Sequence, residues 1–270
     1  MEKKIILIGE RCLDINQYVN VTRINPEAPT PVMVPVGQDI QDGMAGNVYN
    51  NLVSLGLSPN NIITFFPIFD IIKRRFIDKN SGYIMLRLDE NDEIKDEDAF
   101  SEADKAKVIT LIEGGEVDAI VVSDYGKGFL SEDKLSDIFY RASQYEVPTF
   151  LDTKKILGNW SFWCFCVKIN AIEFERHREI EAGANLARNL LVTRGGDGIE
   201  SIYARKIYPT DSVEVINVCG AGDSALAGLV YKYIETKDLN ISIKFANKVA
   251  GAAVTKRGTY AVTQKDLKND

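Results

Sequence analysis

The chain predicts an α/β protein built on a parallel sheet with helices on both faces. Three observations carry this. Short apolar runs such as Ile5 to Ile8 and Ala119 to Ser123 are too uniformly hydrophobic for a strand with one solvated face. From residue 119 onward such runs alternate with stretches of helical spacing. Charged and polar residues gather just past the ends of the runs, where sheets of this kind bind ligands.

Taken in order, Ile5 to Ile8 ends in Gly9 as a central strand should. Val19 to Val21 and Val32 to Val36 are short β-prone runs, separated by a loop (Asn25 to Pro31) whose prolines exclude helix. Asn47 to Leu55 has helical spacing and Gly56 supplies a stop. Tyr83 to Leu88 alternates, and Glu102 to Ile112 reads as a helix closed by Gly114-Gly115. Then come a strand at Ala119 to Ser123, a helix at Glu132 to Tyr145, and strands at Pro148 to Asp152 and Phe162 to Ile169. A helix begins at Ile172 to Arg176, extended by Glu179 to Ala187. Leu190 to Thr193 is a strand, while Ile199 to Tyr203 and Val213 to Ile216 read as a hairpin-type pair. Ser224 to Ile234 and Ile241 to Val254 are helices, and Lys265 to Asp270 reads as a frayed end.

The 270 residues are 45% hydrophobic and 26% charged, enough for one large core. A net charge of −7 speaks against a free nucleic-acid-binding surface but leaves local basic clusters open to an anionic substrate. Met1 to Ile8 reads as a strand rather than a leader, and no run approaches a membrane span, so a reducing cytoplasm is expected. Cys12, Cys164, Cys166 and Cys219 form no disulfide framework. Cys164 and Cys166 would share one face of a strand as buried thiols, with no second Cys/His pair to complete a zinc site. His177, the sole histidine, sits in a charged stretch and reads as solvated, which leaves no Ser-His-Asp triad. Gly9-Glu10-Arg11-Cys12 lacks the glycine pattern of a dinucleotide-binding turn.

The chemistry concentrates in Cys219-Gly220-Ala221-Gly222-Asp223-Ser224. Small residues at a helix start let N–H groups converge on an anion or a developing negative charge. Asp223 sets a carboxylate beside that nest, able to take a proton from a hydroxyl; the plain alternative is a helix N-cap. Asn170 and Glu173 stand i, i+3 at another helix start, facing one spot or capping each other.

Eight stretches together resemble the ribokinase-like (PfkB) carbohydrate kinases. They are Gly9 to Asp14, Thr22 to Pro29, Met85 to Asp89, Val122 to Gly128, Asn170 to Glu173, Leu191 to Gly195, Gly220 to Asp223, and Phe245 to Thr259. Asn-x-x-Glu and Gly-Ala-Gly-Asp specify the broad family. Arg-Ile-Asn-Pro-Glu-Ala-Pro and Ser-Asp-Tyr-Gly-Lys-Gly resemble its branch acting on D-glycero-β-D-manno-heptose 7-phosphate.

The resemblance implies a ribokinase-like doubly wound sheet with a small β lid, a single kinase domain over 1–270, and lid strands near 18–36 and 83–88. It implies ATP and Mg²⁺ as cofactors, a small sugar-phosphate substrate phosphorylated at C1, no nucleic-acid or membrane partner, and a homodimer through the lid. Asp223 would be the general base, with the N–H groups of Gly220, Ala221 and Gly222 stabilising the transferring phosphoryl group. Asn170 and Glu173 would serve Mg²⁺ and phosphate, Glu173 through water. Thr193, Arg194 and Gly195 would contact ATP phosphates, and Asn247 and Gly251 would lie near adenine; Asn247 reads equally as helix surface. Asp14, Gly43 and Asn47 would contact the sugar. Arg87, Lys127 and Lys154 are candidates for phosphate groups, each also readable as a surface residue.

Four departures from the family pattern stand out. Gly43-Met44 replaces a glycine pair, and Asp152-Thr153-Lys154 replaces Asp-Pro-Lys. Asn217 replaces an acidic residue that helps bind a monovalent cation in several relatives, so the resemblance does not by itself imply potassium activation. The segment between Gly56 and Ile71 is short and lacks a helix. Two alternatives follow: a kinase of another sugar or nucleoside, or a non-catalytic sugar- or nucleotide-binding homologue.

Overall fold

A computed structural model describes residues 3–177 and 186–268. In chain order its strands and helices are β1 (Ile5–Gly9), β2 (Arg11–Ile24), β3 (Pro31–Met44), α1 (Ala45–Ser54), β4 (Ile62–Phe65), β5 (Ile71–Asp78), β6 (Ile84–Glu90), α2 (Glu102–Glu113), β7 (Ala119–Asp124), α3 (Glu132–Gln144), β8 (Thr149–Thr153), β9 (Cys166–Asn170), α4 (Ala171–His177), β10 (Leu190–Thr193), β11 (Ile199–Ser201), β12 (Lys206–Tyr208), α5 (Ala221–Thr236) and α6 (Leu239–Val254).

The main sheet runs β4-β1-β7-β8-β9-β10-β11-β12. Its strands are parallel from β4 to β10, and β11 and β12 close the edge antiparallel. Successive side chains of a strand point to opposite faces, and both faces here are covered. Ile6, Ile8, Ile120, Val122 and Leu151 pack with α2 and α3 residues such as Val108, Ile112, Ile138 and Phe139. Ile5, Leu7, Val121 and Phe150 pack with Val48 and Leu52 of α1, Leu226 and Val230 of α5, and Ile243 of α6. This two-sided burial explains the uniformly apolar runs.

A second sheet runs β3-β2-β5-β6. Its register aligns Asp14 with Gln41 and Lys73, and Lys73 with Asp89. Two residues along, Asn16, Arg75 and Arg87 form the next row on the same face. The 18–36 and 83–88 stretches lie in this sheet, although its strands extend well beyond them.

Five local expectations are corrected. The run Phe162 to Ile169 is a strand only from Cys166; Trp160, bonded to the Ile156 carbonyl, and Ser161, bonded to the Leu186 carbonyl, hold a turn before it. Cys164 and Cys166 therefore face opposite cores, and burial pushes both thiols up, Cys164 to about 12. The partner of β11 is Lys206–Tyr208, not Val213 to Ile216. That alternating stretch has no second layer to cover it, and Val213, Val215 and Ile216 stay exposed. His177 is buried, accepting at Nε2 from Leu157 N (2.8 Å), with Nδ1 2.6 Å from the Glu173 carbonyl. The end of the chain is tied down to Lys268, since Asp266 pairs with Lys256 and accepts from Thr263. Of the expected helix extension Glu179 to Ala187, residues 179–185 lie outside the described residues; Ala187 is buried and non-helical.

Candidate active site

Helix α5 is capped at its start by Gly220, whose φ of 73° puts it in the left-handed region. A Cβ there would come within 2.5 Å of Asn47 Nδ2. Both demands select glycine at this N-cap; of the N–H groups that follow, that of Ala221 donates to the Val218 carbonyl (3.3 Å) within the turn, and an anion at a helix start gains from those left without an intrahelical partner.

Asp223, in that first turn, is 2% exposed. Tyr125 donates its hydroxyl to Oδ1 (2.8 Å), and Asn47 donates Nδ2 to Oδ2 (3.2 Å) and to the Gly220 carbonyl (3.3 Å). Burial, then the nearby Asp152, push the Asp223 carboxyl up to about 6, against the pull of both hydrogen bonds and of Lys168. A carboxylate balanced there can accept a proton near neutral pH. Lys168 and Asp152 form a buried ion pair (2.7 Å) close beneath, with the Lys168 ammonium 3.3 Å from where a Cβ of Gly222 would sit.

Asn170 and Glu173 cap one another: Asn170 N donates to Glu173 Oε2 and Glu173 N to Asn170 Oδ1, both at 2.8 Å. Glu173 also pairs with Lys154. Burial pulls the Lys154 ammonium down, but Asp152 and Glu173 outweigh it and hold it above its ordinary value. The capping reading of Asn170 and Glu173 is thus realised, with one carboxylate oxygen engaged by a lysine rather than by the helix.

Beside the α5 turn lies a cavity of about 370 Å³. Thr193, Gly195, Asn247 and Gly251 line it, with Gly222 and the exposed valines 213, 215 and 218. Asn247 is buried rather than helix surface: its amide donates to the carbonyls of Tyr208 (2.7 Å) and Pro209 (3.3 Å), fixing one wall. Arg194 is not among the lining residues; it pairs with Glu200 and lies over the Phe174 ring.

On the other side, Asp14 accepts from Arg75 Nη1 (2.7 Å). A Cβ on Gly43 would fall 2.6 Å from both Asp14 Oδ2 and Cys12 Sγ, so the glycine lets β3 lie close over them. Arg87 grips both oxygens of Asp89 (2.7 Å each) and Lys127 pairs with Asp92 (2.6 Å). The structure thus gathers Gly220, Asp223 and Asn47 into one contact group, with Lys154 and Glu173 beside it, Asp14 and Gly43 on the facing sheet, and Arg87, Lys127 and Arg194 in outlying ion pairs. Sequence reasoning gave no role to Tyr125 or Lys168. The signal for Lys168 was present: a lysine inside the apolar strand Cys166-Val167-Lys168-Ile169 needs a buried partner.

A family model described as pfkB family carbohydrate kinase matches residues 115–266. The chain belongs to the pfkB family of carbohydrate kinases. Relatives of this kinase include bifunctional protein HldE of Marinomonas sp. (strain MWYL1), 28% identical over 310 residues, and of Sulfurimonas denitrificans, 27% identical over 305 residues. Each match covers 98% of this chain and 63% of the relative. The chain therefore spans less than two thirds of the length of these curated relatives. Among solved structures, Escherichia coli phosphofructokinase-2 in complex with potassium superposes with a TM-score of 0.70 at 16% identity, over 99% of this chain and 97% of that one. Arabidopsis thaliana ribokinase complexed with ribose and ATP also gives 0.70, at 13% identity over 100% of both chains. The fold is thus ribokinase-like.

Proposed function

We propose that this kinase transfers the γ-phosphoryl group of ATP to a sugar hydroxyl, that of C1 on D-glycero-β-D-manno-heptose 7-phosphate, giving the 1,7-bisphosphate and ADP. The observation that carries the chemistry is Asp223, buried in the first turn of α5 next to Gly222, which lines the 370 Å³ cavity, and held by Tyr125 and Asn47. The acceptor proton passes to Asp223, the hydroxyl oxygen bonds to the γ-phosphorus, and the bond from that phosphorus to the β–γ bridging oxygen breaks. The N–H groups of Gly220 and Gly222 stabilise charge on the moving group, joined by that of Ala221 once it leaves the Val218 carbonyl. Thr193, Gly195, Asn247 and Gly251 hold the nucleotide, and Asp14, Gly43 and Asn47 the sugar. The heptose-branch stretches and the HldE relatives support the acceptor.

Mg²⁺ fits this donor set through water. Among the described residues no group of three or more His, Cys, Asp or Glu side chains is arranged to hold a metal. A hard cation that keeps its waters and binds phosphate oxygens needs no such cage, and Glu173 can serve it from the outer shell. When bound, the ion would neutralise phosphate charge. Arg194, Arg87, Lys127 and Lys154 would reach phosphate groups by exchanging their present carboxylate partners for them.

We read the whole chain as one kinase domain. Val34, Val36, Leu86 and Leu88, exposed on the second sheet, support a homodimer through that sheet. Four free cysteines suit a reducing cytoplasm, and no described helix is long and apolar enough to cross a membrane. A second reading keeps the chemistry and changes the acceptor to another sugar or nucleoside. It follows from Met44, which is buried with a φ of 56° where the family carries glycine.

Coupled ADP release over a panel of sugars, sugar phosphates and nucleosides tests both, compared by kcat/KM. Heptose 7-phosphate leading the panel supports the first reading, and another acceptor leading it replaces that reading with the second. Binding without turnover for every acceptor would leave a non-catalytic homologue.

A further inference from the structure

The loop after β7 is fixed more firmly than a surface turn requires. Tyr125 N donates to Glu10 Oε2 (2.7 Å) and Lys127 N to Glu10 Oε1 (3.1 Å), and Glu10 is fully buried. Gly126 N donates to Asp124 Oδ1 (3.0 Å). Gly128 has a φ of 100°, and a Cβ there would come within 2.5 Å of the Ile94 carbonyl oxygen. This scaffold carries one side chain inward. The Tyr125 ring has the ammonium groups of Lys154 and Lys73 5.3 and 5.6 Å from its centroid, and its hydroxyl reaches Asp223 Oδ1 at 2.8 Å.

We propose that Tyr125 is a positioning residue for phosphoryl transfer, holding the Asp223 carboxylate in one reactive orientation. The inference rests on the reading of Asp223 as general base. With Tyr125 on Oδ1 and Asn47 on Oδ2, the carboxylate cannot rotate freely. Lone pairs remain on both oxygens for the acceptor hydroxyl. Tyr125 does not compete for the proton: burial, then Asp223 and Asp152, hold its phenol well above its ordinary value, so it stays a neutral donor. A donor to the charged form also favours that form.

The other groups facing Asp223 are Asn47 from α1, Asp152 and Lys154 from β8 and its end, Lys168 from β9, and Cys12 from the second sheet, with Lys73 of that sheet over the Tyr125 ring. Asp152 opposes ionisation of Asp223 and Lys168 favours it. Neither bonds the carboxylate directly, so the hydroxyl of Tyr125 is separable from them by Tyr125→Phe, which keeps the ring between its two lysines.

The test needs no acceptor for its first arm. The carboxyl of Asp223 is titrated by ¹³C NMR in the nucleotide-free protein, with Asp223→Asn identifying the resonance. The wild-type group should titrate near pH 6, and Tyr125→Phe should move it up by about one pH unit. In the kinase assay the lost orientation lowers kcat at every pH, and the titration shift adds a further loss of roughly fivefold in kcat/KM near pH 6 that closes toward alkaline pH as both carboxyls ionise. A merely structural role would leave the titration of Asp223 unmoved. An unmoved titration in Tyr125→Phe overturns the proposal, and so does a wild-type rate at alkaline pH, where only the orientation is at stake. Wild-type turnover in Asp223→Asn would instead overturn the general-base reading, a separate outcome.

Discussion

Replacing Asp223 by asparagine should destroy activity and stabilise the fold, with a pH signature that ties the two effects together. In the native protein this carboxyl sits at about 6 against an ordinary 3.8, because burial and Asp152 oppose its charge. The sign is that of a raised acid. Its contribution to stability is fully present below pH 3.8 and is lost as pH rises through 6, because the folded state must ionise a group the unfolded chain ionises readily. At about 1.4 kcal/mol per pH unit, the loss by pH 8 is about 3 kcal/mol. The amide of Asp223→Asn never ionises. Its oxygen can accept from Asn47, and its nitrogen can donate to the Tyr125 hydroxyl, which accepts as well as donates. The hydrogen bonds are thus kept while the charge is removed. Urea denaturation should find the variant about 2–3 kcal/mol more stable than wild type at pH 8 and within about 0.5 kcal/mol of it at pH 4. By melting temperature the gain is about 4–8 °C for a chain of this size. Lower stability of the variant at pH 8, or a gain that does not vary with pH, would refute the reasoning.

Three further outcomes are expected. Lys168→Met leaves Asp152 buried beside Asp223 without its cation and should cost about 3–5 kcal/mol by urea denaturation; adding Asp152→Asn should recover most of that. Gly220→Ala forces a side chain into a left-handed residue and onto Asn47; it should cost about 1–3 kcal/mol and lower kcat more than it raises the KM for ATP. Gly251→Val has room, its Cβ meeting only Thr210 Oγ1 at 3.7 Å. Its branches fill the cavity, so the KM for ATP should rise about tenfold or more with kcat nearly unchanged, as initial-rate kinetics and a thermal melt would show.

Strands β1 and β7 to β10 were legible because they are buried on both faces and mostly alternate with helices, so each announces itself locally, whereas β4, β5 and β12 carry no comparable local pattern and were not anticipated. Gly220 to Asp223 and Asn170 with Glu173 were legible for the same reason: their geometry is set within one helical turn. What lay hidden depends on distant pairing. Tyr125 meets Asp223 across 98 positions and Asn47 meets it across 176, with no local signal for either contact. Val213 to Ile216 alternates like a strand, but period alone cannot report that no neighbour covers it. His177 looked solvated among charged neighbours, yet the Leu157 N–H and the Glu173 carbonyl give its ring two buried partners. The four cations assigned to phosphate each have a carboxylate partner of their own, which a list of strand-end residues could not reveal.

The most direct measurement is the turnover of Asp223→Asn beside wild type, with ATP, Mg²⁺ and heptose 7-phosphate at saturation, read by ADP release and by ³¹P NMR of the product. Wild type should form an anomeric phosphate, and the variant should be slower by about 10²–10⁴-fold while remaining folded. A variant that keeps pace with wild type would mean that the buried carboxylate at the start of α5 does not take the acceptor's proton.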